Sequence, residues 1–148
     1  MRILHRIVEC PEVNVGVFAF LLNYPWEFWQ VPLFVGMASA PHWEAVKFCT
    51  RATLGDAAIM LVAFWFVALL AGSRRWILSP SGRQILVFIA VGVAITVLFE
   101  LLATHVLDRW QYAGAMPVTP VLGIGLSPLA QWIVLPPLVV WFVRRHLR

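Results

Sequence analysis

Residues 85–107 read ILVFIAVGVAITVLFELLATHVL. The run is almost continuously apolar, and Glu100 is its only residue of the types Asp, Glu, Lys and Arg. In an α-helix, which rises about 1.5 Å per residue, about 20 apolar residues cross the hydrocarbon core of a bilayer. A strand of a membrane barrel would alternate apolar and polar side chains, and this run does not. It therefore predicts a membrane-spanning helix.

Three further runs have the same character and predict spans over residues 13–37, 54–72 and 122–143. Hydrophobic residues make up 61% of the chain and charged residues 12%, against roughly 45–50% and about 25% in soluble domains. Short connections between apolar helices favour neighbours that run in opposite directions. The sequence thus predicts an all-α polytopic membrane protein, with one transmembrane domain over residues 1–148 folded as an antiparallel bundle of four spans.

The Lys and Arg residues predict the orientation of the bundle. Eight lie on one side of the predicted spans and three on the other, and the richer side is expected to be cytoplasmic. Both termini are then inside, as in a multi-pass protein of the cell inner membrane. The eight are Arg2, Arg6, Arg74, Arg75, Arg83, Arg144, Arg145 and Arg148, and the three are Lys47, Arg51 and Arg109.

The same placement argues against nucleic-acid binding. The net charge is +4, but the positive residues flank apolar runs instead of forming a basic face outside the lipid. The first run is also longer than the apolar part of a signal peptide, about 7–15 residues, so we expect it to remain as a span.

Polar residues inside the spans are the main functional signal. Asn23, Glu27 and Gln30 are spaced by four and three, which places them on one face of the first helix. Ionisable residues in a span are costly and usually face a bundle interior or water. By helical rise, Glu27 lies about 4–5 Å outward of the midpoint of its span and Glu100 about 6 Å outward. We therefore expect these groups to meet in one pocket that opens outward.

The candidate catalytic residues of this pocket are Glu27 and Glu100. Two facing carboxyl groups in a dry site tend to share a proton, and such a pair can act as acid and base toward a hydrophobic substrate. The residues expected to line the pocket with them are Asn23, Gln30, Asp56, Thr104, His105, Trp110, Tyr112 and Gln131.

Structural alternatives stand beside each of these assignments. Glu27, Glu100 and the amides could serve only as interhelical hydrogen bonds. Asp56 could stabilise the start of a helix capped by Thr53, because a carboxylate favours the positive end of the helix dipole. Trp110 and Tyr112 could belong to an aromatic belt at the membrane interface.

Several chemistries are not indicated. The chain has no Walker A loop, no G-x-G-x-x-G, no G-x-S-x-G and no C-x-x-C, and its His residues lack the spacing of a metal site. We therefore expect no metal and no cofactor.

Three functions remain open, and the sequence leaves undecided whether the protein is an enzyme. The first is handling of a lipid or isoprenoid-like molecule by carboxyl acid/base chemistry. The second is a non-enzymatic accessory or assembly subunit of a membrane complex. The third is a proton- or cation-conducting unit that works as an oligomer. The expected partners are the lipid bilayer, a hydrophobic small molecule, and a second copy or another membrane protein.

Two stretches of the sequence are similar to stretches found in a known protein family. The first is NYPWEFWQVPL at 23–33 with Gly55-Asp56, and the second runs from RWQY at 109–112 through MP at 116–117 and GIGLSP at 123–128 to QW at 131–132. They resemble a family of small bacterial four-helix integral membrane proteins. That resemblance implies the fold and brings no activity.

Part of the second stretch, together with Glu100, is also similar to the small membrane-embedded lycopene cyclases. The shared features are an intramembrane Glu, a Trp-x-Tyr at 110–112 and the Gly- and Pro-containing run at 123–128. That family carries adjacent carboxylates after its proline, where this sequence has Leu129, Ala130 and Gln131.

Overall fold

The computed structural model describes residues 8–148, and over that range the chain is all-α, with four helices and no strand. The helices are α1 (Pro11–Gln30), α2 (His42–Ala71), α3 (Gly82–Leu101) and α4 (Leu126–His146). A π-helical turn, Leu102–Val106, extends α3. Short 3-10 helices cover Val31–Leu33 and Arg74–Leu78. The predicted helical class is confirmed.

Three of these helices are long and apolar enough to cross a membrane: α2, α3 with its π turn, and α4. Helix α1 is not among them, because two acidic residues and three side-chain amides lower its hydropathy. It also ends at Gln30, seven residues before the end predicted for the first span. Pro32 falls in the 3-10 helix that follows, and Gly36, whose φ is +76°, falls in the turn beyond it. Arg2 and Arg6, which the orientation prediction counts, lie outside the described residues.

Helix α2 begins at His42, far ahead of the start predicted near Leu54. No proline or glycine interrupts residues 42–54, so nothing stops the helix from continuing through them. The interpretation of Thr53 as the residue that caps this helix is therefore wrong. Thr53 is buried in mid-helix, where its hydroxyl donates to the Cys49 carbonyl at 2.8 Å.

Aromatic side chains fill the core where the helices meet. Helix α1 packs against α2 and α4, and α3 packs against the same two helices. Trp76, from the short 3-10 helix, packs between Phe64 of α2 and Phe88 of α3 and donates its indole N–H to the Phe64 carbonyl at 3.3 Å. This core lies toward the end of the molecule that carries the connection 72–81.

Two irregular segments close the opposite end, and we call residues 31–41 and 107–125 the cap. Their backbones pair: the Val35 N–H donates to the Gln111 carbonyl and the Ala113 N–H to the Leu33 carbonyl, both at 2.9 Å. Asp108 adopts a left-handed φ of 45° just after the π turn, so the chain reverses there. The reversal returns residues 110–112 toward α3.

Candidate functional site

Gln131 of α4 joins three helices through one buried amide. Its Nε2 lies 2.7 Å from Asn23 Oδ1, 3.1 Å from Glu27 Oε1 and 3.0 Å from Asp56 Oδ2. Asn23 and Glu27 are on α1 and Asp56 is on α2, so the predicted polar faces of separate helices converge here. The Asn23 amide in turn donates to the Ala19 carbonyl at 2.7 Å, in the turn before it.

Gln30 extends this network toward the cap. Its Nε2 donates to Glu27 Oε1 at 2.9 Å, and its Oε1 accepts from the Ser127 hydroxyl at 2.8 Å. Sequence reasoning missed Ser127. The available signal was its position one helical turn before Gln131, which places both residues on the same face of α4.

The carboxyl groups of Glu27 and Asp56 accept from the same amide nitrogen of Gln131, at 3.1 Å and 3.0 Å, which brings them together as a Glu27–Asp56 pair. The Gln30 amide donates to Glu27 as well, at 2.9 Å. A carboxyl group donates when it is protonated and accepts when it is ionised, so such a pair can supply both an acid and a base.

Glu100 of α3 is held separately by the cap. Its Oε2 accepts from the Trp110 indole N–H at 3.3 Å and from the Tyr112 hydroxyl. Tyr112 lies in the loop after α3, where burial first and then the hydrogen bond to Glu100 raise its pKa above the usual range. The phenol therefore remains a donor at neutral pH, and the cap fixes the direction of the Glu100 carboxyl group.

Glu27, Asp56 and Glu100 line one cavity of about 860 Å³, to which all four helices and the cap contribute side chains. Its polar lining consists of Glu27, Gln30, Arg51, Asp56, Thr96, Glu100, Arg109 and Gln131. Its remaining walls are apolar or aromatic. A cavity of this size, mostly apolar with a few convergent polar groups, is typical of sites that bind small molecules.

The other four predicted pocket residues, Asn23, Thr104, His105 and Tyr112, do not line the cavity. Asn23 contacts Gln131 behind the lining, and Tyr112 supports Glu100 from the cap. The Thr104 hydroxyl donates to the Glu100 carbonyl at 2.7 Å and lies 2.7 Å from Nδ1 of His105. Of the ten residues predicted for the site, Glu27, Gln30, Asp56, Glu100, Trp110 and Gln131 line the cavity.

Sequence reasoning did not assign Arg51 or Arg109 to the pocket. It used both only as charges that flank spans, because the extension of α2 back to His42 and the chain reversal at Asp108 were not foreseen. Thr96 carried a visible signal, since it lies four residues before Glu100 on one helical face.

Within residues 8–148, no cluster of three or more His, Cys, Asp or Glu side chains is arranged to hold a metal ion. Cys10 and Cys49 are both free thiols. The polar groups that line the cavity are carboxyl, amide, hydroxyl, indole and guanidinium groups. No family model, no curated protein and no solved structure matches this chain.

Proposed function

We propose that this protein handles a lipid or isoprenoid-like molecule in the cavity, using its carboxyl groups as acid and base. In this proposal four helices span the inner membrane as an antiparallel bundle, with both termini in the cytoplasm and the cap on the outer side. The observation that carries it is one mostly apolar cavity of about 860 Å³ in which Glu27, Asp56 and Glu100 all take part.

Exposed apolar side chains support the membrane setting. Leu69 of α2 is 77% exposed, and Leu86 and Leu98 of α3 are 66% and 65% exposed. A soluble protein rarely leaves large contiguous apolar patches in water. In hydrocarbon the same surface carries no penalty, and α1 would cross as the most polar span, shielded by its contacts with α2 and α4.

The roles follow from the hydrogen bonds. The protonated member of the Glu27–Asp56 pair would donate a proton to an alkene carbon or an oxygen of the ligand. Glu100, oriented by Tyr112 and Trp110, would accept a proton from the ligand or stabilise the positive charge that develops on it. The apolar walls would exclude water, which strengthens these interactions.

Solvent deuterium provides a direct test. The protein is extracted with its surrounding lipid, the hydrophobic molecules that copurify are identified by mass spectrometry, and the sample is incubated in D₂O. Acid/base chemistry at carbon would place deuterium into a copurified ligand. We expect Glu27→Gln and Glu100→Gln to slow this incorporation about 100-fold or more, because general acid/base catalysis contributes about 10²–10⁴-fold.

Glu44→Gln is the matched control, since Glu44 is exposed on α2, outside the cavity lining, and pairs with Lys47 at 2.7 Å. It should exchange like the wild type. Melting temperatures within a few degrees of the wild type would show that the Gln variants are folded. Equal incorporation by the wild type and Glu27→Gln would end the proposal.

The hydrogen-bond network favours one second function, that of an accessory subunit. Gln131, Asn23, Gln30 and Ser127 satisfy one another inside the protein, as residues that only join helices do. If the protein is an accessory subunit, Glu27→Gln would not change deuterium incorporation into any copurified ligand. It would instead reduce copurification with a membrane partner.

A further inference from the structure

Two exposed guanidinium groups line the cavity. Arg51 lies near the start of α2 and Arg109 lies in the cap. Over the described range 8–148, neither side chain forms an ion pair or a hydrogen bond. The carboxyl groups of the same cavity, by contrast, are held by Gln131, Gln30, Trp110 and Tyr112. Two positive charges of this site are therefore free to pair with a ligand.

Thr96 gives a second, independent sign of a ligand. It lines the cavity from α3, is 6% exposed, and its hydroxyl oxygen has no hydrogen-bond partner in the part of the chain that the structure describes. A threonine within a helix commonly donates to the carbonyl four residues earlier, as Thr53 and Thr104 do here. A buried hydroxyl without a partner is costly, and a polar ligand atom would remove that cost.

The wall between α2 and α3 is suited to a hydrocarbon chain. Ile59 and Val62 of α2 face Ile95 and Phe99 of α3 across the cavity. Val62 is 56% exposed and Phe99 is 53% exposed, so this side of the cavity reaches the lateral surface of the protein. Along α2, Arg51 lies about 7.5 Å on the cap side of Asp56, and Val62 lies about 9 Å on the other side.

From this order of groups we infer that the ligand is an anionic amphiphile, with a phosphate or carboxylate head between Arg51 and Arg109 and a hydrocarbon tail leaving between α2 and α3. The inference rests on the proposed function and names the class of molecule that the site takes. The tail segment nearest the head would pass the carboxyl groups of Asp56 and Glu100, where proton transfer would occur. Thr96 would donate to a polar atom further along the ligand.

A set of probes with one chain length tests the head group. The full-length protein in a neutral maltoside detergent is titrated with dodecyl phosphate, dodecanol, dodecyltrimethylammonium and inorganic phosphate, and native mass spectrometry measures the bound fraction. We expect one dodecyl phosphate per chain, bound about tenfold or more tightly than the other three probes, because charge-assisted hydrogen bonds from arginine to phosphate are strong and directional.

Variants with matched charge locate the interaction. Arg51→Gln/Arg109→Gln should weaken binding of dodecyl phosphate about tenfold or more. Arg83→Gln/Arg145→Gln removes the same charge from two exposed positions outside the cavity and should change it less than about twofold. Dodecyl phosphate has no polar atom beyond its head, so Thr96→Val, which keeps the shape and removes the hydroxyl, should change its binding less than about twofold. Ala58→Trp, at a cavity-lining position, should abolish it.

The binding results distinguish a failure of the anionic-ligand inference from a failure of the proposed function. If dodecanol or dodecyltrimethylammonium binds as tightly as dodecyl phosphate, or both arginine pairs have equal effects, the anionic head group is excluded while a hydrophobic ligand survives. If inorganic phosphate binds as tightly as dodecyl phosphate, the site takes a free anion and the tail has no role. If no amphiphile binds and Ala58→Trp changes nothing, both the inference and the proposed function fail.

Discussion

At the scale of single residues, the Gln131 side chain brings together the polar groups of α1 and α2. Its amide nitrogen has two protons and three acceptors within 3.1 Å, so Asn23, Glu27 and Asp56 compete for it. Since the acceptors come from α1 and α2 while Gln131 comes from α4, one side chain couples the positions of three helices. It also supplies the neutral donor that lets two carboxyl groups lie side by side.

Replacing Gln131 by leucine tests that coupling. Gln131→Leu keeps the volume similar but leaves three buried acceptors without this donor, which should lower the free energy of unfolding by about 1–3 kcal/mol. The measurement is thermal unfolding in detergent. Ile133→Ala, on the exposed side of the same helix, is the control and should have a smaller effect. A Gln131→Leu protein as stable as the wild type would mean that the network adds nothing to stability.

At the scale of helices, the contact between α3 and α4 depends on one glycine. Gly92 is buried against Trp132, and a Cβ atom built at this position would lie 2.1 Å from the indole ring. Small residues at such crossings let helix backbones approach closely. Trp132 and Gln131 are neighbours on α4, and both line the cavity, so this contact also positions the site.

Gly92→Ala should therefore destabilise the protein although alanine is the better helix former. Overpacking costs about 1–3 kcal/mol, against a propensity gain of about 1 kcal/mol. Thermal unfolding should show a lower melting temperature, and Trp132→Phe in the same chain should restore part of the loss. Gly16→Ala meets only Leu61, at an ordinary 3.7 Å, and should be neutral or stabilising. Equal stability of the two glycine variants would show that α3 and α4 are not in contact at Gly92.

At the scale of the whole molecule, the two ends differ in charge and in structure. The connection 72–81 carries Arg74 and Arg75, and Leu78 accepts hydrogen bonds from Arg144 and Arg148, each at 3.3 Å. The cap at the other end is irregular, pairs with itself through its backbone and covers the cavity. An excess of positive residues marks the cytoplasmic side of membrane proteins.

This asymmetry predicts which end faces the cell exterior. In a chain whose two native cysteines are replaced by alanine, Ala115→Cys in the cap should react with a membrane-impermeant maleimide in intact cells. Ser81→Cys, in the connection at the basic end, should react only after the membrane is opened. Both positions are exposed in the structure, so poor access within the protein would not mimic protection. The reverse pattern of labelling would invert the orientation.

The continuous apolar runs were sufficient to predict four helices, because hydrophobicity over about 20 residues is a local property of the chain. The positions of the helix ends were harder to predict from the sequence. Helix α1 stops at Gln30 and α2 begins at His42 because proline, glycine and the pairing of the cap set these ends, and the pairing joins residues far apart in sequence. Within the site, the spacing of Asn23, Glu27 and Gln30 placed them on one face of α1, since helical periodicity is also local.

The sequence by itself determined that this chain is helical, that it contains long apolar runs, and that acidic and amide groups lie within them. Only the tertiary structure decided that Gln131 joins Glu27 to Asp56, that Tyr112 and Trp110 hold Glu100, and that Arg51 and Arg109 border the same cavity. The physical reason is that the two kinds of property depend on interactions over different distances along the sequence. Hydrophobic composition and helical periodicity are set by residues close together in the sequence, whereas a hydrogen bond between helices depends on the packing of the whole chain.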